Sequence, residues 1–335
     1  MEMIERFIKD AKKLNGRIIF AEGDEERTLD AAVRLARDGV CKCAVVASDS
    51  KLITEAAKKK SLDISWVEVI TPDTALLDAE VLKAFAAHYI KKGRSEAEAA
   101  ALALEPLNFS ALYVKSGKAD GCVAGARSST ADVLRAAIYG IGTAEGTKII
   151  SSFFIMVPPQ GHALAKKPLI FADCAVNPDP APLGLKDIAV SSVRSFKSLF
   201  PDEKPVVAFL SFSTKGSAEH KIISKVREAA GLTKEYFKND ADVIVDGELQ
   251  FDAAFIPAVG AKKAPGSPAA GKANIYIFPD LNAGNIGYKI TERLGGFSAI
   301  GPVIQGLEKP MNDLSRGCSV DDIYYVAVIA LLKSR

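Results

Sequence analysis

Histidine is scarce in this chain and cysteine is sparse, with three of the first and five of the second in 335 residues. The cysteines, Cys41, Cys43, Cys122, Cys174 and Cys318, form no paired Cys-x-x-Cys motif, and the chain is too long for so few to make a disulfide framework. Neither a structural zinc site nor a stapled secreted fold is indicated, and a reducing cytoplasm is the expected setting. An excess of one charge is also missing. The balance of 43 basic against 41 acidic residues gives a net charge of +2, with no long run of either sign. That argues against nucleic acid or a membrane surface as the main partner. No apolar run reaches membrane-spanning length. The first sixteen residues mix Glu2, Glu5 and Asp10 with lysines at amphipathic helical spacing, which is neither a secretory signal nor a transit peptide.

What is present is alternation. Arg17 to Glu22 has the look of a buried strand, and Glu25 to Asp38 follows with Leu29, Ala32, Leu35 and Ala36 on one helical side. Cys43 to Ala47 is a second strand, and Asp49 to Lys60 then Ile64 to Ile70 repeat helix and strand. This is the pattern of a parallel sheet flanked by helices. Ala79 to Lys115 reads as helical throughout, and Asp120 to Ala124 is a short strand before a helix begun by Ser128-Ser129-Thr130 and carrying Arg135. Strands at Ile149 to Val157 and Pro168 to Ala172 are joined by the hairpin Pro158 to Lys167 and open a second α/β lobe. Further strands are expected at Pro205 to Ser211, Val243 to Asp246 and Asn274 to Phe278. The length suits two lobes.

Two stretches have site chemistry. A strand end followed by small hydroxyl residues and a helix start, as at Ser128 to Asp132 with Arg127 and Arg135 nearby, is where open α/β sheets bind ligands. The richer stretch runs from Asn312 to Asp322 and offers a hydroxyl (Ser315), a guanidinium (Arg316), a glycine (Gly317), a thiol (Cys318) and two carboxylates (Asp321, Asp322). Ser319-x-x-Asp322 is also a capping box for the last helix, so Asp322 is explained by capping alone, and cap and catalyst remain compatible. The turn Phe212 to Ser217 is an anion nest or an ordinary polar turn. Gly266 to Ala273 nearly matches a phosphate-binding P-loop. It has Ala273 in place of the metal-binding hydroxyl and runs into a strand where a helix is needed, which excludes a nucleoside triphosphatase.

The ordered blocks Ser211-Phe-Ser-Thr-Lys-Gly-Ser217, Asp246-Gly-Glu-Leu-Gln-Phe-Asp-Ala-Ala254, Lys263-Ala-Pro-Gly-Ser-Pro-Ala-Ala-Gly-Lys-Ala-Asn274, Phe278-Pro-Asp-Leu-Asn-Ala-Gly-Asn285 and Lys309-Pro-Met-Asn-Asp-Leu-Ser-Arg-Gly-Cys-Ser319 carry a resemblance. Together with Ser128-Ser-Thr-Ala-Asp-Val-Leu-Arg135 they make nearly the whole chain similar to the phosphate acetyl/butyryl transferase family. The resemblance implies an α/β fold of the isocitrate/isopropylmalate dehydrogenase-like kind, with two domains, each a mostly parallel sheet flanked by helices, and an active-site cleft between them. The expected boundaries are 1–147 with 300–335 for the first domain and 148–299 for the second. The implied activity is reversible acetyl transfer between acetyl phosphate and coenzyme A by direct attack in a ternary complex. Coenzyme A is then a cosubstrate, with no metal and no bound cofactor, in a cytoplasmic homodimer whose metabolic partner is acetate kinase.

By the same resemblance Asp322 is the base for the coenzyme A thiol, Arg316 the phosphate-binding arginine, and Ser315 a residue that holds the reacting groups. Arg135, Ser128, Ser129, Thr130, Gly317, Lys215 and Asn285 are the expected substrate-binding set. One departure stands out: an arginine of similar proteins falls on Tyr89, with Lys91, Lys92 and Arg94 nearby. Cys318 as an acylated nucleophile is the weaker alternative to a buried structural cysteine, because His88, His162 and His220 are all remote in sequence. Butyryl or propionyl transfer, and a non-catalytic coenzyme A-binding regulatory module, are the competing functions. A hydroxyacid dehydrogenase would need a Gly-x-Gly-x-x-Gly turn or a metal-binding carboxylate cluster, and the sequence has neither.

Overall fold

The computed structural model describes residues 2–335. The chain divides into two compact units, residues 1–145 with 307–335, and residues 146–306. In unit 1 the elements are α1 (Glu2–Leu14), β1 (Arg17–Phe20), α2 (Glu26–Arg37), β2 (Lys42–Val46), α3 (Ser50–Lys60), β3 (Glu68–Ile70), α4 (Ala79–Ile90), α5 (Glu96–Ala103), α6 (Pro106–Lys115), β4 (Gly121–Ala124) and α7 (Thr130–Ala136). In unit 2 they are β5 (Ser151–Val157), β6 (Leu169–Ala172), α8 (Pro182–Leu199), β7 (Val206–Leu210), α9 (Lys221–Tyr236), β8 (Ile244–Leu249), α10 (Phe251–Phe255), α11 (Pro257–Lys263), β9 (Ile275–Ile277), α12 (Leu281–Arg293) and β10 (Ser298–Gln305). The chain then returns to unit 1 as β11 (Met311–Asp313) and α13 (Val320–Leu332).

The sheet of unit 1 is parallel throughout, in the order β11-β4-β1-β2-β3. Its strands are short and apolar because helices cover both faces, the condition under which parallel strands lose their polar alternation. β1, for example, buries Ile18, Ile19 and Phe20 completely. α13 packs on α2 and α1 and buries nine of its thirteen residues, so the last helix is a core element. The sheet of unit 2 is mixed, in the order β10-β5-β6-β9-β7-β8, with β10 and β6 antiparallel to β5 and the rest parallel.

The expected elements are present, with three local differences. The helical stretch from residue 79 to 115 is three helices: Ser95 caps α5 with a capping box and Pro106 opens α6, and each restart needs a turn. The expected strand from Ile64 begins as a 3-10 turn over Ile64–Trp66 capped by Asp63, and only Glu68–Ile70 joins the sheet. Residues 298–305 form β10 along β5, so a boundary between 299 and 300 would cut a strand, and the chain leaves unit 2 only after Gly306.

Candidate active site

Unit 1 brings two chain segments together where its sheet's strands end. One is the loop after β4, residues 125–129, leading into α7; the other is the loop after β11, residues 314–319, leading into α13. Asp313 and Ala124, the last residues of neighbouring strands, are register partners, so the two loops leave the sheet side by side.

Arg27, near the start of α2, ties them. Its guanidinium donates to the carbonyls of Arg316 (3.0 Å), Cys318 (2.8 Å) and Ala126 (3.0 Å), while its Nε pairs with Glu25 (2.7 Å). Glu22, just past β1 and buried, accepts the backbone N–H groups of Gly125 (3.0 Å), Arg127 (3.3 Å) and Ser128 (2.7 Å). A carboxylate of the chain thus already occupies backbone donors at the strand end where the Ser128 to Asp132 stretch was expected to bind a ligand. Arg127 is likewise committed, in a two-point pair with Asp24 at 2.9 Å. Ser129 caps α7, accepting from the Asp132 N–H at 3.2 Å. Ser128 and Thr130 flank it, and Asp313, at the end of β11, is buried with its Oδ1 lacking a hydrogen-bond partner among the described residues.

In the second loop Ser315, Arg316 and Gly317 are exposed and Cys318 is buried. The Arg316 guanidinium has no ion pair or hydrogen bond among the described residues, unlike those of Arg27, Arg34, Arg127 and Arg135. The capping box is formed: Asp322 accepts the Ser319 N–H and O–H at 2.8 Å each, and Ser319 accepts the Asp322 N–H at 3.1 Å. Asp322 is thus held as a cap, on the exposed side of the helix. Its neighbour Asp321 pairs with Arg34 at 2.9 Å, which fastens the first turn of α13 to α2. Burial pushes the Cys318 thiol up to about 11, which favours the structural cysteine over an acylated one.

Arg135 pairs with Asp132 at 2.6 Å and borders a cavity of about 500 Å³ that Tyr89, Arg94, Glu105 and Asn108 also line. The basic neighbour of Tyr89 that shares this cavity is Arg94, paired with Glu98 at 3.0 Å. Lys92 is occupied elsewhere, donating to the Tyr139 hydroxyl at 2.7 Å.

Lys215 and Asn285 lie in unit 2 and both are engaged within it. The Lys215 ammonium pairs with Asp246, which also receives Lys234 and Ser267, and the Asn285 amide donates to the Cys174 carbonyl at 3.1 Å. Burial favours a neutral Asp246, but the bonds from Lys215, Lys234 and Ser267 outweigh it and hold the carboxyl down to about 2. The turn at residues 212–217 is organised by Glu248, which takes the Ser213 hydroxyl and the Gly216 N–H, with Arg227 on its other side. The Ser267 hydroxyl of the P-loop-like stretch bonds Asp246, and the stretch leads into β9. Among the described residues no group of three or more His, Cys, Asp or Glu side chains stands where it could hold a metal ion.

Glu22 and Arg27 had no signal of their own in the sequence. Glu22 looked like a strand end and Arg27 like one of many surface arginines, and their partners lie about a hundred or more positions away.

Similar proteins agree with this arrangement in extent. The family model described as phosphate acetyl/butaryl transferase matches residues 2–331. A phosphate acetyltransferase of Clostridium acetobutylicum is 42% identical over 335 residues, covering 100% of this chain and 99% of the relative. A solved phosphotransacetylase from Staphylococcus aureus superposes with a TM-score of 0.89 at 40% identity, covering 100% of this chain and 98% of the other. One from Streptococcus pyogenes gives 0.86 at 39% identity, with 98% of both chains covered. On a match that runs from the first helix to the last, this chain belongs to the phosphate acetyl/butaryl transferase family.

Proposed function

We infer that the protein is a phosphate acetyltransferase, moving an acetyl group reversibly between acetyl phosphate and coenzyme A. The observation that supports this most directly is the exposed Ser315-Arg316-Gly317 loop, whose arginine has no ion pair or hydrogen bond from its guanidinium among the described residues. A guanidinium with its fork free suits a phosphoryl group, which it binds through two parallel bonds and partly neutralises.

In the proposed reaction the coenzyme A sulfur attacks the carbonyl carbon of acetyl phosphate. The thiol proton goes to Asp322, and the carbon–oxygen bond to phosphate breaks with its electron pair on the leaving oxygen. Arg316 balances the charge of that phosphate, the Gly317 N–H, which here donates to the Ser315 hydroxyl at 3.3 Å, turns to the developing oxyanion, and Ser315 orients the reacting groups. A free thiol near pKa 8.5 and an ordinary Asp near 3.9 differ by roughly 6 kcal/mol, so Asp322 needs the thiolate stabilised by Arg316 as it forms. Arg135, with Arg94 across the same cavity, offers positive charge for the phosphates of coenzyme A, Arg94 serving where similar proteins carry an arginine at the position of Tyr89. Ser128, Ser129 and Thr130 supply hydroxyls. The family resemblance also counts Lys215 and Asn285 among the substrate-binding residues. The protein works without a metal or bound cofactor, as a cytoplasmic homodimer in acetate metabolism beside acetate kinase. Among the described residues no helix is long and apolar enough to cross a membrane.

The test follows thioester absorbance with coenzyme A and acetyl, propionyl or butyryl phosphate, for the protein and for Asp322→Asn. Turnover fastest with acetyl phosphate, and lower by about 100-fold or more in the variant while coenzyme A still binds, is the expected result. Faster turnover with butyryl phosphate would reassign the acyl group, for which one methylene gives only about 1–3 kcal/mol of discrimination. Binding without turnover of any of the three would make the chain a coenzyme A-binding module.

A further inference from the structure

We propose that Cys41 and Cys43 form an oxidisable dithiol, a modification site that a hydroperoxide converts to a disulfide and a small thiol reductant restores. The pair lies where β2 begins, at the edge of the unit 1 sheet opposite the strand ends that carry the 125–129 and 314–319 loops.

Of the five cysteines, these are the two whose sulfurs meet among the described residues, Sγ to Sγ at 3.7 Å. The contact follows from the spacing, because residues two apart in an extended chain face the same side of a sheet. The Cys43 thiol also lies 3.8 Å from the Cys41 carbonyl oxygen, which keeps it turned toward its neighbour. A disulfide holds its sulfurs at about 2.05 Å, so one side chain must swing toward the other. Cys41 is the one placed to move. The pairing of β2 with β1 begins at Lys42 and leaves Cys41 outside it. The turn before Cys41 contains Gly39 at φ +66°, with open space on the side where a Cβ would stand. Cys43, opposite Ile18 in the sheet, stays fixed as the target.

Burial sets the order of attack. Cys41 is 8% exposed and Cys43 4%, and the contact with Cys41 together with burial pushes the Cys43 thiol up. Cys41 therefore meets the oxidant first. Its sulfur, as thiolate, attacks the terminal oxygen of a hydroperoxide, and the O–O bond breaks. The leaving oxygen takes the electron pair and a proton, departing as alcohol or water, and Cys41 becomes a sulfenic acid. The Cys43 sulfur then attacks the Cys41 sulfur, the S–O bond breaks, and water leaves with the Cys43 proton as the S–S bond forms. Two thiols lose two electrons and one peroxide gains them. Cys122 and Cys174 are completely buried and have no second sulfur in contact among the described residues, so no such route is open to them. Where small thiols are plentiful the pair rests reduced, and it closes when peroxide rises.

The experiment treats the reduced, folded protein with hydrogen peroxide, blocks the remaining thiols with iodoacetamide under denaturing conditions and digests with trypsin for mass spectrometry. Cleavage after Arg37, Lys42 and Lys51 puts Cys41 in peptide 38–42 and Cys43 in peptide 43–51. The disulfide then appears as those two peptides joined, or as an uncleaved 38–51 lacking two hydrogens. The expected result is this linkage, released by dithiothreitol and formed at least about tenfold faster than any oxidation of Cys122 and Cys174. In Cys43→Ser the reaction should stop at a Cys41 sulfenic acid that dimedone captures, and in Cys41→Ser the thiol at position 43 should persist. Both cysteines alkylated after peroxide would overturn the proposal. So would sulfinic or sulfonic acid on either without a linkage, a disulfide from either to another cysteine, or Cys43 oxidised as fast in Cys41→Ser as in the unaltered protein.

Discussion

Arg27 directs its guanidinium at three carbonyls of its own chain, and the Arg316 guanidinium bonds no acceptor among the described residues, yet in the sequence they are the same residue type. The difference is geometric. A carbonyl oxygen at the end of a parallel strand has no further ladder partner, and the loops at 126 and 316–318 leave three such oxygens within reach of one planar fork. Replacing Arg27 by Met should lower stability by about 2–3 kcal/mol, because partly buried acceptors lose their donor. It should also cut kcat/KM at least tenfold by loosening both loops. Urea unfolding and steady-state assay of the same preparation would measure the two effects, and Arg27→Lys should recover little, since one ammonium cannot bridge three oxygens. Arg316→Ala should leave the urea midpoint unchanged and lose about 2–4 kcal/mol of transition-state stabilisation. Arg27 could not be singled out in the sequence, because its role exists only once residues 126 and 318 are folded beside it.

The helices and strands, by contrast, were largely legible. The capping box at Ser319 was readable because it is local: a hydroxyl and a carboxylate three residues apart meet whenever the backbone turns into a helix. Ser319→Ala should cost about 1 kcal/mol, as loss of a cap does, and so should the capping part of Asp322→Asn. If Asp322 also takes the thiol proton, its variant loses far more turnover than Ser319→Ala at equal loss of stability, and the ratio of the two rates separates cap from base. The same locality explains where element boundaries were missed. The apolar and alanine-rich pattern from Ala79 to Lys115 does not show that Ser95 and Glu98 form a cap in its middle, a choice made by how α4, α5 and α6 fold back on one another.

At the scale of the whole molecule, the two units carry buried carboxylates of opposite sign in their pH response. In unit 2, Asp246 and Glu248 are both held down to about 2 against their burial, by lysines and a serine and by Arg227, Gly216 and Ser213 respectively. Their contribution is complete above about pH 4.5, the ordinary range for a carboxylate, and is lost as pH falls toward 2. For Asp246 the loss amounts to about 2 kcal/mol. In unit 1, Asp313 is raised to about 6, so its contribution is complete below about pH 3.8 and is lost as pH rises through 6, by about 3 kcal/mol. Acidification from pH 7.5 to 4.5 should therefore strengthen unit 1 relative to its Asp313→Asn variant, and only further acid should weaken unit 2. Hydrogen exchange resolved by segment, in the unaltered protein, Asp313→Asn and Asp246→Asn, would show the two responses separately.

The sequence by itself determined the α/β class, the order of most strands and helices, the capping of α13 and membership of the transferase family, because each depends on periodicity, on neighbours a few residues apart or on long ordered blocks of matching residues. It also placed Ser315, Arg316 and Gly317 on a loop before a helix. Tertiary structure decided which of the polar groups remain available. It assigned the amides of Gly125, Arg127 and Ser128 to Glu22, Arg127 to Asp24, Lys215 to Asp246 and Asn285 to Cys174, and left the Arg316 fork without a partner among the described residues. The physical reason is that a hydrogen bond or ion pair depends on distance in space. Glu22 and Gly125, and Arg27 and Cys318, are brought within bonding distance by the packing of β1, β4 and β11, and nothing in their spacing along the chain could have announced it.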